Sequence, residues 1–154
     1  MILTTIAYLK KDSKTLLLHR IKKEKDINEG KWIGVGGKLE KGETPEECIR
    51  REVKEETHYK VNKLKYHGFI VFPGIYYGED EGMFVYSCDD FSGEMTSVCN
   101  EGELKWVEDD QILSLPMWEA DYHLFEWMND EHIHHAKITY DKEGHVKEYS
   151  EEIY

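Results

Sequence analysis

Proline is scarce in this chain, three residues in 154, and no repeat or low-complexity linker interrupts it. We therefore expect one domain over residues 1–154, large enough to bury a real core. Cysteine is equally sparse. Cys48, Cys88 and Cys99 are odd in number and show no C-x-x-C spacing, which argues against a disulfide framework or a thiolate zinc site and for reduced core thiols. Long apolar runs are missing too: the opening MILTTIAYLK suits a strand but is too short for a membrane span and lacks the basic start of a signal peptide. A cytoplasmic protein with no membrane partner is expected. Basic residues are in deficit, 20 Lys and Arg against 32 Asp and Glu for a net charge of −12. That balance excludes the positive footprint a nucleic-acid polymer requires. The sequence leaves monomer and homodimer open.

What the chain has in abundance is acid, and its placement is informative. Between Gly37 and Glu56 the chain reads GKLEKGETPEECIRREVKEE. Thr44, Pro45 and Glu47 supply an N-cap hydroxyl, a proline at the first helical position and a capping-box glutamate, so a helix is predicted to start at Thr44. On it Glu52, Glu55 and Glu56 fall within about 100° of arc. Three ionised carboxylates on one edge repel one another and require either protons or a cation. Arg50 and Lys54 point away from that edge, so a solvated acidic face is the poorer reading. Ile49 and Val53 make the neighbouring apolar edge that packs on a sheet. Ahead of the helix, Gly34, Gly36, Gly37 and Gly42 allow a backbone to approach a ligand closely. With oxygen ligands alone and no His or Cys among them, the metal implied is magnesium, or manganese in its place.

Counted from Gly37, the pattern is Gly, five residues, Glu43, seven residues, Arg51-Glu52-Val53, one residue, Glu55-Glu56. This resembles the signature box of the Nudix hydrolases. The resemblance extends through residues 32–37, Asn100-Glu101 with Leu104 and Trp106, residues 118–121 and residues 136–154, toward the MutT/MutX-type 8-oxo-dGTP diphosphatases. One departure is His58-Tyr59, where the family has glycine and an aliphatic residue. A left-handed backbone at His58 would cost roughly 1 kcal/mol and leaves every metal carboxylate in place.

The resemblance implies an α+β Nudix fold, a mixed β-sheet sandwiched between α-helices (α/β/α). It implies a magnesium-dependent hydrolase that attacks the β-phosphorus of a nucleoside triphosphate, yielding the monophosphate and pyrophosphate, in the service of nucleotide pool sanitation. By the same resemblance the Gly36 carbonyl, Glu52, Glu55, Glu56 and Glu101 hold the metal, while Glu43 and Arg51 orient those carboxylates. Glu52 is the favoured general base and Glu101 the alternative. The cation also reconciles an acidic chain with an anionic substrate. Lys38 and the run Arg20, Lys22, Lys23, Lys25 add positive charge near the phosphates, although a solvated loop explains the run equally well.

Base recognition is expected from Trp118, whose face stacks on a purine, and Asp121, whose carboxylate accepts from the N1 and N2 donors of guanine. Mammalian relatives carry two adjacent aspartates and an asparagine where this chain has Ala120-Asp121 and Ile33. Two other readings stay open: a Nudix hydrolase of another substrate (a different nucleoside triphosphate, a dinucleoside polyphosphate, a nucleotide sugar), and a non-catalytic nucleotide sensor. His132, His134 and His135 are read as surface residues, because strand alternation would divide them between faces. Glu79 to Glu81, Asp89 and Asp90 are read as solvated turns.

Alternation predicts strands over residues 2–9, 15–19, 69–72, 83–88 and 104–107 and a terminal hairpin of residues 136–140 and 145–153 around Lys142-Glu143-Gly144. Trp118, Tyr122, Phe125 and Met128 recur at helical spacing, after a short turn over residues 109–113.

Overall fold

The computed structural model describes residues 1–21, 30–96 and 101–154, with the backbone alone of Val98 and Cys99. Lys22, Lys23, Lys25 and Asn100 lie outside the described residues, as does the Cys99 side chain. Strands β1 (Ile2–Lys11), β2 (Lys14–His19), β3 (Trp32–Ile33), β4 (Lys60–Tyr76), β5 (Glu79–Ser92), β6 (Val98–Cys99), β7 (Gly102–Glu108), β8 (His134–Tyr140) and β9 (Val146–Ile153) accompany helices α1 (Pro45–Thr57) and α2 (Glu119–Trp127), and a 3-10 turn covers Asp109–Ser114. The strand order is β6-β7-β2-β1-β5-β4-β8-β9, with β3 on β2. Parallel β1–β5 and β4–β8 pairs alternate with antiparallel ones, so the sheet is mixed.

Alternation along the strands sorts the core into two layers. Ile6, Tyr8 and Leu17 face α2 with Ile70, Val85, Ala120 and Leu124, whereas Ala7, Leu9, Leu16 and Leu18 face α1 with Ile49 and Val53. The sheet therefore lies between the helices, the α/β/α arrangement expected.

β1 and β2 pair only next to their turn, at Lys10↔Thr15 and Lys11↔Lys14, and then part. The edge of β1 that β2 leaves open is taken by the glycine loop: Ala7 and Val35 exchange bonds of 2.7 and 3.1 Å, Thr5 N–H reaches the Gly37 carbonyl at 2.9 Å and Leu39 N–H reaches Leu3 at 3.0 Å. At Gly36 a Cβ would lie 2.0 Å from the Thr5 carbonyl oxygen, so no other residue fits this approach.

Helix α1 begins as its sequence dictates, with Thr44 Oγ1 accepting from Glu47 N–H at 3.1 Å and Glu47 returning the bond to Thr44 N–H at 3.0 Å. It ends at His58, which takes the left-handed conformation (φ 71°) expected of the family's glycine. Its N–H bonds to the Lys54 carbonyl at 3.0 Å and the Lys54 ammonium returns to the His58 carbonyl at 3.2 Å, which offsets part of the strain.

Three expectations are corrected. Glu79 to Glu81, Asp89 and Asp90 are strand residues of β5, because the turn sits one step earlier at Tyr77-Gly78, both at positive φ (51° and 85°). Helix α2 starts after Trp118, which is its extended N-cap, and Met128 is its C-cap. His134 is buried, 3% exposed, with its ring stacked 4.7 Å from Trp127 and Nε2 3.0 Å from Asp130 Oδ2, while His132 and His135 are exposed.

Candidate active site

A cavity of about 450 Å³ opens where the glycine loop, α1, the start of α2 and the outer ends of β4 and β5 meet. One end is acidic, lined by Glu52, Glu56 and Glu101 with Arg20, Gly36 and Gly37; the other is lined by Ile33, Phe72, Met83, Trp118, Ala120, Asp121 and Tyr140. Lys38, Tyr76 and Glu81 stand at its rim.

Arg51 organises the acidic end. Its Nε and Nη2 grip both oxygens of Glu43 at 2.7 and 3.0 Å, Nη1 reaches Glu52 at 2.8 Å and Glu55 at 3.3 Å, and Nη2 reaches the Lys38 carbonyl at 3.1 Å. The fork shape of guanidinium makes this possible; an ammonium has no such geometry. The Arg51 hydrogen bond and the Glu40 N–H hold the Glu43 carboxyl down at about 2. At Gly37 a Cβ would sit 2.6 Å from the Glu52 carboxyl carbon, so any side chain there would displace the Glu52 carboxylate from its place against the loop.

Glu52 is pushed up by burial and by Glu55 and Glu101, against the pull of Arg51. Glu56 is pushed up further, to about 9, by burial first and then by Glu101 and Glu52, with a Gly36 backbone hydrogen bond opposing. Its Oε2 is buried with no partner among the described residues. An orphaned carboxylate oxygen near two further carboxylates is a group that could hold a cation, because the alternative is a retained proton. Oxygen donors of this kind fit a hard divalent ion. As the side chains stand, no three acidic groups among the described residues converge tightly enough to enclose an ion. Each acid but Glu56 has an arginine partner: Arg51 Nη1 takes both Glu52 and Glu55, and Arg20, 11% exposed, pairs with Glu101 at 3.1 Å. Glu55 is 59% exposed and stands outside the cavity lining, on the flank of α1 nearer Arg51.

The structure thus brings together Gly36, Glu52, Glu56, Glu101, Arg20, Lys38, Trp118 and Asp121, with Arg51 and Glu43 behind them, while Lys23 lies outside the described residues. Residues that sequence reasoning missed surround the apolar end. Lys31 Nζ lies 4.8 Å from the Trp118 ring, Tyr140 packs edge-on to Trp118 at 5.5 Å, and the Tyr140 hydroxyl accepts from Ala120 N–H at 2.8 Å. Glu119 ties the helix start to the β8–β9 turn through His145 at 2.6 Å and Val146 N–H at 2.7 Å. Asp121, 5% exposed, is pushed up to about 7 by burial, with Lys31 pulling the other way. Lys38 Nζ lies 4.3 Å over the Tyr76 ring and joins the glycine loop to the β4–β5 hairpin.

Comparison with known proteins agrees with this arrangement. The fold matches the crystal structure of a mutator MutT protein from Bacillus halodurans with a TM-score of 0.86 over 99% of this chain and 98% of that one, at 24% identity. An uncharacterised Nudix hydrolase of Bacillus subtilis (strain 168), YvcI, is 30% identical over 94% of this chain and 90% of its own length. The oxidized purine nucleoside triphosphate hydrolase of Danio rerio is 36% identical over 69% of this chain and 67% of its own. Nudix hydrolases act on nucleotide substrates and generally use divalent metal ions. Among the described residues no helix is long and apolar enough to cross a membrane. Residues 3–128 match the model of the NUDIX domain, and the chain belongs to that family of phosphoanhydride hydrolases.

Proposed function

We infer that this protein is a magnesium-dependent nucleoside triphosphate pyrophosphohydrolase of the MutT/MutX type, acting on purine nucleotides including oxidised guanine and releasing the monophosphate and pyrophosphate. The observation that carries this reading is the continuity of one cavity, from the orphaned Glu56 oxygen at its acidic end to the Trp118 and Asp121 side chains at its apolar end. A purine nucleotide has the same polarity, base at one end and polyphosphate at the other. The name of the Danio rerio relative supports the substrate class.

Glu52, Glu56 and Glu101, with Glu55 and the Gly36 carbonyl, would hold the divalent ion, which when bound neutralises phosphate oxygens and activates the attacking water. The chain's own residues do the rest. Arg51 holds Glu52 against the glycine loop and fixes Glu43, so helix and loop keep a single spacing. Glu52, with its carboxyl raised by burial, is the base that accepts the water proton, and Glu101 is the alternative. Lys38 at the rim and Arg20 beside Glu101 offset phosphate charge. Trp118, with Tyr140 packed edge-on against it, offers the face on which the base stacks, and Asp121 reads its hydrogen-bonding edge.

One observation favours a second reading within the same chemistry. Ile33 and Ala120 leave the base end with apolar walls and Asp121 as its polar reader, which suits guanine nucleotides in general more than oxidised guanine in particular. Incubating pure protein with magnesium and a panel of nucleotides, and measuring phosphate release with and without added pyrophosphatase, separates the readings. Preferential hydrolysis of 8-oxo-dGTP over dGTP supports the first, and equal rates on dGTP and 8-oxo-dGTP support the second. Turnover confined to dinucleoside polyphosphates or nucleotide sugars, or saturable binding without product, rejects both.

A further inference from the structure

The base end of the cavity has a second layer. Tyr8 on β1 is fully buried, and its hydroxyl has no hydrogen-bond partner among the described residues. A phenylalanine would fill the same space without burying a polar group, so the hydroxyl is an unexplained expense in an otherwise apolar layer. Its surroundings point to one neighbour. The Tyr8 ring lies 4.7 Å from that of Phe125, and Phe125 follows Asp121 by one helical turn on the same face of α2. The ring therefore packs against the face of α2 that carries Asp121 and Phe125. Tyr8 itself is absent from the cavity wall, while Asp121 is part of it.

We propose that Tyr8 is the positioning residue for Asp121: its hydroxyl, outside the cavity wall, donates to Asp121 when a guanine edge engages from the cavity side, directly or through one bridging water. The proposal rests on the base-pocket reading given above. Four groups face the carboxylate or act on it: Tyr8 from β1, Tyr140 from β8, Lys31 from the segment before β3, and the helix start that carries it. The Tyr140 hydroxyl accepts from Ala120 N–H with its own proton still free, but it belongs to the cavity wall, and the Lys31 ammonium lies over Trp118. Tyr8 has no such commitment. Burial first, and the Asp121 carboxylate second, hold its phenol well above the ordinary value, so it remains a proton donor at any physiological pH. A donor to Asp121 favours its ionised form, the form that accepts both donors of a guanine edge.

The test is Tyr8→Phe, which keeps the ring and removes only the hydroxyl. Binding of guanosine and adenosine monophosphates is measured by calorimetry from pH 5.5 to 8.5, alongside KM and kcat on GTP and ATP with magnesium. The expected result is weakening of the guanine nucleotide by about fivefold or more with adenine changed by less than about twofold, kcat little altered, and the pH below which guanine affinity falls moved upward. In an Asp121→Asn background the same change should have no further effect. Three outcomes overturn the proposal: affinities and pH profile unchanged with a raised melting temperature, as removal of a merely unpaired hydroxyl would give; equal weakening of guanine and adenine; or the full Tyr8→Phe effect persisting in Asp121→Asn. Failure of the unaltered protein to bind or hydrolyse any purine nucleotide is a different result, and it removes the base pocket on which the proposal stands.

Discussion

Replacing Arg51 with lysine tests the central joint of the site. Lysine keeps the positive charge and loses the fork, so the two-point grip on Glu43 (2.7 and 3.0 Å) and the bond to the Lys38 carbonyl (3.1 Å) cannot coexist with the contact to Glu52 (2.8 Å). An ammonium placed among these groups retains one or two of the contacts and gives up about three. Hydrogen bonds to charged groups contribute about 1.5–3 kcal/mol each. The lower end applies, because Arg51 is 22% exposed and solvent replaces part of what is lost. The cost should therefore be about 3 kcal/mol, after allowance for water reaching the freed groups. For 154 residues, an unfolding entropy near 2.1 cal/mol/K per residue turns this into a melting-temperature loss of about 9 °C. The difference should also depend on pH. Glu43 is held down at about 2 mainly by Arg51, so its share is present above the ordinary carboxylate value and disappears as pH falls through the folded one. Urea unfolding at pH 7 and at pH 3 reads both quantities. A loss under about 1 kcal/mol at pH 7, or a difference between the two proteins that grows on acidification, would refute the account of Arg51 as the loop-to-helix joint.

Glu56→Gln removes the orphaned oxygen's charge in nearly the same volume, so magnesium should no longer raise the melting temperature and turnover should fall by orders of magnitude with far-UV circular dichroism unchanged; a preserved magnesium-induced gain sinks the cation assignment. Asp121→Asn offers a donor where guanine needs an acceptor, and should reduce the preference for guanine over adenine nucleotides by about tenfold or more. Equal losses on both would mean a structural role. Remote from the site, His67 is held down to about 4 by burial first and by Lys65 second, with its Nε2 2.6 Å from Ser87 Oγ. The unfolded chain then binds more protons between that value and 6.5, so the stability from neutral His67 is complete above 6.5 and declines on acidification. From pH 7 to pH 5 the decline should be about 2 kcal/mol by linkage, and His67→Gln should flatten it. Parallel pH profiles for the two proteins would count against this assignment.

The parts of the fold legible in the sequence are those whose causes are local. Thr44, Pro45 and Glu47 write the start of α1 within four residues, and the alternation of β1 and β2 divides the core between the two helices before any contact is known. The acidic edge of α1 was legible for the same reason, since helical periodicity alone brings Glu52 and Glu56 to one side. Contacts made across the fold were not. Arg20 and Glu101 are separated by 81 positions, and only the pairing of β2 with β7 places His19 opposite Glu103 and so brings them near each other. The acids at Glu79 to Glu81 resemble a turn in composition, but the positive φ values at Tyr77 and Gly78 place the turn before them and commit them to β5. His134 belongs with these cases: period-2 alternation separates it from His135 correctly, yet which of the two faces inward depends on Trp127 and Asp130 from α2 and its end.

The distribution of unmet polar groups carries the argument one step further. Among the described residues, four buried side-chain atoms lack a hydrogen-bond partner, Tyr8 Oη, Glu56 Oε2, His67 Nδ1 and His134 Nδ1, the last lying 3.5 Å from Glu151 Oε2. Random imperfection would scatter such groups through the molecule, because each is destabilising wherever it occurs. Glu56 belongs to the acidic end of the cavity, whereas Tyr8 is buried against α2 outside the cavity lining. The histidine pair lies near the far end of α2, where Lys65 and His134 each disfavour a proton on His67 while Asp130 favours it. A buried carboxylate oxygen without a partner, Glu56 Oε2 at the acidic end of a cavity the size of a nucleotide site, is what a binding site looks like when the missing partner is supplied by the ligand.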